Sequence, residues 1–222
     1  MRSDPFVQRA RWAGSRGTLA LAGLCVLGMA IVWALANLVP ALQVRDAVLL
    51  QDFTRLASHQ TIASVANHLI HLLEPGLFTL WGIALVAFAI SRERPRTALA
   101  VAVVMPLAPL TSELLKPLLA HAHDRIGGIS IQAGSWPSGH STAALTLGMC
   151  AVLVAPPHLR RAVALLAAAY ALAVGISLLI LAWHMPSDVL GGFLVASFWT
   201  AIAVAALRAV NRRWPPRRPD PA

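Results

Sequence analysis

Residues 162–210 read AVALLAAAYALAVGISLLILAWHMPSDVLGGFLVASFWTAIAVAALRAV. Two apolar stretches of about 20 residues flank a short polar segment, and a helix of that length crosses the roughly 30 Å hydrocarbon layer of a bilayer. The polar segment is His184-Met185-Pro186-Ser187-Asp188. The pattern predicts two membrane-spanning helices joined by a short turn, and therefore an all-α membrane protein.

Four further stretches have the same character, so the sequence predicts a bundle of six membrane-spanning helices. The six run approximately over Leu19–Leu38, Pro75–Ile90, Ala98–Leu115, Ser141–Ala155, Ala162–Trp183 and Val189–Val210. A signal peptide is the alternative for the first stretch, because Ala34-Leu35-Ala36 resembles a cleavage site. Its apolar core exceeds the 7–15 residues usual for such peptides, which favours a retained helix.

The composition agrees with burial in lipid. The chain is 58% hydrophobic and 12% charged, whereas a soluble domain averages about 45–50% apolar and 25% charged residues. The net charge of +9 does not indicate nucleic-acid binding, because the basic residues form short clusters between apolar runs. Such clusters set membrane topology. The bilayer is therefore the expected partner, and nucleic acid is not.

The distribution of basic residues predicts the orientation. Of the 18 lysines and arginines, 14 fall in the N-terminal segment, the C-terminal segment and two alternate connections between the apolar stretches. The other connections contain only Arg45, Arg55, Lys116 and Arg125. The positive-inside rule places both termini in the cytoplasm. Residues 1–16 form a basic cytoplasmic N-terminus, residues 17–210 the six-helix domain, and residues 211–222 a disordered tail.

Two outer connections are long. Apolar residues recur at roughly helical spacing within residues 40–73, which predicts an amphipathic helix on the outer membrane surface. Residues 116–138 contain most of the remaining polar side chains. The candidate site residues therefore gather on the outer face.

The segment Ser135-Trp136-Pro137-Ser138-Gly139-His140 opens the fourth apolar stretch. Ser138 is a favourable helix N-cap, and Gly139 allows close approach to the backbone. The amide groups and dipole of a helix N-terminus favour an anion such as phosphate. His140 would then lie within reach for proton transfer. An ordinary helix cap with an interfacial histidine is the competing interpretation.

The segment His184–Asp188 opens the sixth stretch. If the turn is helical, the spacing of four residues brings the Asp188 carboxylate to the imidazole of His184. A carboxylate on one ring nitrogen fixes the tautomer and makes the other nitrogen a better nucleophile. A purely structural hydrogen bond is the competing interpretation.

A third group begins at the outer end of the third stretch, where the ammonium of Lys116 would meet a phosphate. Glu113, one turn earlier, can pair with Lys116 or orient it. A lysine that extends to the lipid headgroups is the alternative. His121, His123 and Arg125 follow within ten residues.

Taken in order, these three segments resemble the type 2 phosphatidic acid phosphatase family, which is related to the vanadium-dependent haloperoxidases. Pro137-Ser138-Gly139-His140 matches the family's second motif in full, and Lys116 matches the first. Ser177, His184 and Asp188 match the third at the required spacing. The resemblance spans residues 113–192 directly.

The resemblance implies a metal-independent lipid phosphatase that uses no cofactor. His184 would attack phosphorus and form a phosphohistidine, with Asp188 orienting it, and His140 would protonate the leaving group. Lys116, Ser138 and Gly139 would stabilise the phosphate oxygens. His123 and Leu178 stand where the family has arginines, so Arg125, His121 and His123 become the candidate replacements.

The expected substrate is a lipid phosphate: phosphatidic acid, phosphatidylglycerol phosphate, a polyprenyl phosphate or diphosphate, or a lipid-linked sugar phosphate. The Ala- and Arg-rich composition indicates a GC-rich bacterial source and a location in the cell membrane. A non-catalytic protein of the same fold that binds lipid phosphates is the second hypothesis, favoured by the loss of both arginines. A transporter is a weaker third, since the stretches show no evident inverted repeat.

Overall fold

A computed structural model describes residues 5–120 and 134–215 of the chain, with side chains from residue 16 onward. The described residues form helices joined by short connections, and no strand occurs among them. The α-helices are α1 (Pro5–Leu38), α2 (Pro40–Thr54), α3 (Gln60–His71), α4 (Pro75–Ser91), α5 (Pro95–Leu118), α6 (Gly139–Val154), α7 (Arg160–Ile180) and α8 (Pro186–Arg213). A 3-10 helix, Arg55–Ser58, separates α2 from α3. The all-α prediction is confirmed.

Each of the six predicted stretches overlaps one helix, namely α1 and α4 to α8. Four segments of the described chain are long and apolar enough to cross a membrane: Arg16–Leu38, Pro95–Leu118, Arg160–Ile180 and Pro186–Arg213. A fifth span results if α3 and α4, which meet at a bend of 56°, are counted together. The structure thus supports four or five spans by length, and a multi-pass membrane protein.

Helix α7 ends at Ile180, three residues before the predicted boundary of that stretch. Ala182 adopts a φ of 54°, the left-handed conformation that commonly follows a helix C-terminus. The chain therefore reverses direction before His184 and enters α8 from a tight turn.

The predicted surface helix over residues 40–73 is divided into two helices. Ser58 ends the 3-10 helix, and His59 is extended, with φ −86° and ψ 105°. The break allows α3 to turn and pack along α7, while α2 buries Ala47 and Leu50 in the bundle. Tertiary packing therefore overrides the continuous helical spacing of this segment.

Helix α6 lies at the centre and packs against α4, α5, α7 and α8. Apolar side chains form one core cluster beside α2, α3 and the start of α8, including Leu50, Leu178 and Met185. A second cluster lies among α4, α5 and the far ends of α6 and α8, including Val101 and Val154. Because other helices enclose α6, its 16 residues need not match the full thickness of a bilayer.

Arginines cap the C-terminal end of α6. The Arg94 guanidinium donates to the carbonyl oxygens of Leu153 and Val154, both at 3.0 Å, and Arg160 Nε donates to Ala155 O at 3.3 Å. Burial, together with the positive charges of Arg160 and Arg92, lowers the pKa of Arg94. Cations are favourable at a helix C-terminus, where the last carbonyls have no partner within the helix.

Gly148 sets the separation of α6 from α7. A Cβ at this position would lie 2.7 Å from Ala167 Cβ and 3.3 Å from Ala167 Cα. Small residues let membrane helices approach closely and gain dispersion contacts. The two helices therefore pack backbone against backbone at Gly148.

Replacement of Gly148 by alanine tests this contact. We expect Gly148→Ala to destabilise the protein by about 1–3 kcal/mol, because the added methyl forces α6 and α7 apart. Gly23→Ala is the matched control, since a Cβ at Gly23 meets nothing within 4 Å. Thermal unfolding in detergent measures both variants, and equal melting temperatures would show that the α6–α7 contact is not tightly packed.

Candidate active site

Three helix ends converge at one end of the bundle: the C-terminus of α5 and the N-termini of α6 and α8. The Ser138 N–H donates to Asp188 O at 3.0 Å, which ties the start of α6 to the first turn of α8. A Cβ on Gly192 would lie 2.5 Å from Ser138 O. Glycine is therefore required at residue 192 for the two helices to approach this closely.

His184 and Asp188 are in contact, but not along a helical turn: Met185 is extended and caps α8, and Asp188 reaches back across the helix N-terminus. His184 Nδ1 lies 3.3 Å from Asp188 Oδ2, and both residues are buried. The same carboxylate oxygen accepts the backbone N–H of Met185 at 2.9 Å. A neutral His184 that donates from Nδ1 presents its lone pair on Nε2, the nitrogen available for attack.

His140, the second residue of α6, faces the same end. Its ring packs edge-on against Trp183, with centroids 5.7 Å apart and an interplanar angle of 66°. A Cβ on Gly139, the residue before His140, would lie 3.9 Å from the Lys116 ammonium, and Trp183 directly precedes His184. The structure thus groups His140 with His184 and Lys116, which come from three different helix ends.

Lys116 and Glu113 form an ion pair beside the start of α6. Lys116 Nζ donates to Glu113 Oε1 at 2.6 Å. A Cβ on Gly139 would lie 2.7 Å from that carboxylate oxygen and 3.9 Å from the ammonium. Both charges therefore lie against the backbone of the first residue of α6, where an anion would bind.

Ser138 caps α6, and its Oγ accepts the backbone N–H of Ser141 at 3.3 Å. Around it lie three buried polar atoms that have no hydrogen-bond partner among the described residues: Ser135 Oγ, Trp136 Nε1 and Ser141 Oγ. Buried polar groups are nearly always hydrogen-bonded. At this end of the bundle, these three atoms therefore make no hydrogen bond to any of the described residues.

A buried hydroxyl network fixes the three helices behind the site. Thr142 Oγ1 lies 2.7 Å from Ser112 Oγ of α5, 2.9 Å from Ser138 O and 3.1 Å from Gly192 O of α8. Sequence reasoning missed Ser112, Thr142 and Gly192. The Gly191-Gly192 pair inside an apolar helix was the available signal, since glycine there often marks close backbone approach.

His121, His123 and Arg125 fall within residues 121–133, outside the described residues. Ser177 Oγ donates to Ala173 O within α7 at 2.8 Å. Leu178, at a position where the family resemblance calls for arginine, is fully buried in the apolar cluster with Leu50 and Met185. The Leu178 side chain makes apolar contacts in that cluster and provides no positive charge.

The fold and the site define the class: a multi-pass helical membrane protein with a buried histidine–carboxylate pair at one end of its bundle. The family model of the PAP2 superfamily matches residues 84–212, more than half of the chain. The chain belongs to the PAP2 superfamily. Membership of this family supports a hydrolase of the lipid phosphatase kind.

The fold is also similar to that of a solved protein, described as the "first transmembrane PAP2 type phosphatidylglycerolphosphate phosphatase from Bacillus subtilis". The two structures superpose with a TM-score of 0.72, and the match covers 89% of this chain and 98% of the other. Their sequences are 21% identical. No curated protein matches the sequence.

The Glu113–Lys116 pair generates a prediction about anion binding. Glu113 holds a negative charge beside the N-terminus of α6, so Glu113→Gln is expected to strengthen the binding of orthovanadate about 1.4- to 5-fold. That range follows from the roughly 0.2–1 kcal/mol of an exposed charge pair. Calorimetric titration in detergent measures the dissociation constant.

Glu93→Gln is the control for this measurement, since Glu93 is exposed at the opposite end of the bundle beside Arg94. Weaker binding by Glu113→Gln would mean that the carboxylate orients Lys116 rather than competing with the anion.

Proposed function

We propose that the protein is an integral membrane lipid phosphatase that acts through a phosphohistidine on His184. The observation that carries this proposal is the buried His184–Asp188 pair, with Nδ1 and Oδ2 3.3 Å apart, in the same group as His140 and Lys116. Binding of a phosphate alone needs no oriented nucleophile. The pair therefore favours turnover over mere lipid binding.

In the proposed first step, His184 Nε2 attacks phosphorus, an N–P bond forms and the P–O bond to the lipid breaks. Asp188 stabilises the imidazolium that develops, as a carboxylate does for a histidine in other nucleophilic sites. Protonated His140 gives its proton to the departing oxygen. Water then attacks the phosphorus while His140 accepts its proton; the N–P bond breaks, inorganic phosphate leaves and the imidazole of His184 is restored.

Three groups are proposed to stabilise the charged equatorial oxygens: the Lys116 ammonium, the Gly139 amide and Ser138. Phosphoryl transfer depends mainly on positioning and on such electrostatic stabilisation. Arg125, His121 and His123 are proposed as further phosphate ligands in place of the two family arginines. Arginine makes fork-like contacts with phosphate that histidine cannot, so the two histidines would bind it less tightly than the arginines they replace.

The proposed substrate is a phosphomonoester or diphosphate of a lipid. Phosphatidylglycerol phosphate belongs in this class because the solved protein of similar fold is described as its phosphatase. Phosphatidic acid and polyprenyl phosphates carry the same reacting group. A headgroup at the membrane surface would meet the convergent ends of α5, α6 and α8.

We further propose six membrane spans within residues 17–210 and a Pro- and Arg-rich tail over residues 211–222. Both termini are proposed to lie in the cytoplasm, and the active site on the outer face of the cell membrane. The basic caps Arg94 and Arg160 lie at the C-terminal end of α6. The candidate site lies at its N-terminal end, roughly 24 Å away for a helix of this length. The positive-inside rule then assigns the arginine end to the cytoplasm.

Cysteine labelling tests this orientation. Ser58→Cys, in the exposed 3-10 helix, is expected to react with a membrane-impermeant maleimide on intact cells. His158→Cys, in the exposed turn between α6 and α7, is expected to react only after permeabilisation. The native Cys25 and Cys150 are buried and provide the background. The reverse pattern would invert the topology and place the site inside.

Phosphate release tests the activity. Detergent-purified protein is expected to release phosphate from at least one lipid among phosphatidic acid, phosphatidylglycerol phosphate and a polyprenyl diphosphate. His184→Ala is expected to lower the rate by about 10³-fold or more, because it removes the nucleophile. His158→Ala, a histidine at the other end of the bundle, is the matched control and should retain the wild-type rate.

The second hypothesis is a non-catalytic protein of the same fold that binds lipid phosphates. The apolar environment of Leu178, which removes one expected phosphate ligand, favours it. Lipid binding without phosphate release at any pH between about 5 and 8, where histidines titrate, would support this hypothesis and contradict the phosphatase.

A further inference from the structure

Helix α2 contributes a carboxylate to the turn between His184 and Asp188. Asp46 Oδ1 accepts the Ser187 N–H at 3.2 Å, and Asp46 Oδ2 accepts the Ser187 hydroxyl at 2.5 Å. The two residues are 141 positions apart. Asp46 also lies outside residues 84–212, the part of the chain that matches the family model.

The turn is therefore held from two sides. Asp188 holds it from one side, since its Oδ2 accepts hydrogen bonds from His184 Nδ1 and from the Met185 N–H. Asp46 holds it from the other side, since its two carboxylate oxygens accept hydrogen bonds from Ser187, the residue immediately before Asp188. Because each carboxylate fixes the turn at a different residue, the first turn of α8 cannot rotate without breaking one of the two sets of hydrogen bonds.

Asp46 is itself held in place. Its neighbour Ala47 and, one turn later, Leu50 are buried in the apolar cluster that also contains Leu178 and Met185. Met185 directly follows His184 in the chain. Helix α2 thus acts on this turn in two ways. Its apolar residues share a cluster with Met185, and Asp46 accepts hydrogen bonds from the N–H and hydroxyl of Ser187.

The chemistry favours this arrangement at an N-terminus. The first amide groups of α8 have no acceptor within the helix, and the helix dipole stabilises a negative charge there. Two parallel hydrogen bonds to one carboxylate fix direction as well as distance. A misplacement of a reacting group by about 1 Å can lower the rate of an enzymatic reaction roughly 10²-fold.

We propose that Asp46 is a positioning residue for the reaction: by clamping Ser187 it fixes the first turn of α8 and hence the direction of the His184 imidazole toward phosphorus. This inference rests on the proposed phosphatase function. It assigns to α2 a part in the chemistry, although α2 carries none of the motif residues.

Steady-state kinetics on the lipid with the highest turnover tests the role of the Asp46–Ser187 contact, called the clamp below. Asp46→Ala and Asp46→Asn, the second of which keeps the shape of the side chain, are expected to lower kcat about 10- to 100-fold while KM changes little. Ser187→Ala is expected to lower kcat less, because its N–H still reaches Asp46. Asp46→Ala combined with Ser187→Ala should lose no more than Asp46→Ala alone, since both remove one interaction.

Asp52→Asn is the matched control. Asp52 lies on the same helix and forms an exposed ion pair with Arg55 at 3.2 Å, and this variant should keep the wild-type kcat. A lower melting temperature with unchanged kcat in both Asp46 variants would make Asp46 a structural anchor and overturn the inference. Additive losses in the double variant would also overturn it.

Orthovanadate separates failure of the clamp from failure of the proposed function. Its vanadium accepts a further ligand from an imidazole nitrogen, so calorimetric binding reports the direction of His184 without turnover. We expect Asp46→Asn to raise the dissociation constant of orthovanadate about ten-fold. If the wild-type protein hydrolyses none of the lipids, the phosphatase proposal fails, while an unchanged orthovanadate constant in Asp46→Asn refutes the clamp.

Discussion

The contact between the start of α6 and the first turn of α8 is the constraint on which the rest of the site depends. The hydrogen bond from the Ser138 N–H to Asp188 O is possible only because Gly192 leaves room for the Ser138 carbonyl. This contact brings two helix N-termini together, so the positive ends of two helix dipoles lie at the same end of the bundle. Two such ends favour a negative charge, which at the start of α8 is supplied by the carboxylates of Asp46 and Asp188.

The short helix α6 can occupy the centre of the bundle because both of its ends have partners. Ser138 caps the N-terminus, while Arg94 and Arg160 hold the carbonyl oxygens at the other end. Gly148 allows α7 to pack closely along its side. In a membrane, unpaired backbone groups are costly. A buried helix of 16 residues is therefore stable here only with these caps.

One substitution relative to the family pattern links the core to the site. Leu178 takes the place of an expected arginine and joins the apolar cluster against which α2 packs. That packing brings Asp46 to Ser187, in the turn that carries His184 and Asp188. The apolar cluster that contains Leu178 in place of an arginine is thus the same cluster against which α2, the helix that carries Asp46, packs. The positive charge at the site then comes mainly from Lys116 among the described residues.

The sequence by itself determined the features that arise from spacing along one segment. Runs of apolar residues predicted where α1 and α4 to α8 lie, and the four-residue interval between His184 and Asp188 predicted their contact. Both features are local: apolar runs form helices, and Asp188, at the third position of α8, reaches back to the residues just before the helix.

The tertiary structure alone decided the long-range contacts. The break at His59, the approach of Glu113 to Gly139, the need for glycine at residue 192 and the reach of Asp46 to Ser187 each depend on how separate helices pack. Such contacts join residues far apart in the chain. They are set by the fit of whole helix faces, which no local pattern of residues in a single sequence encodes.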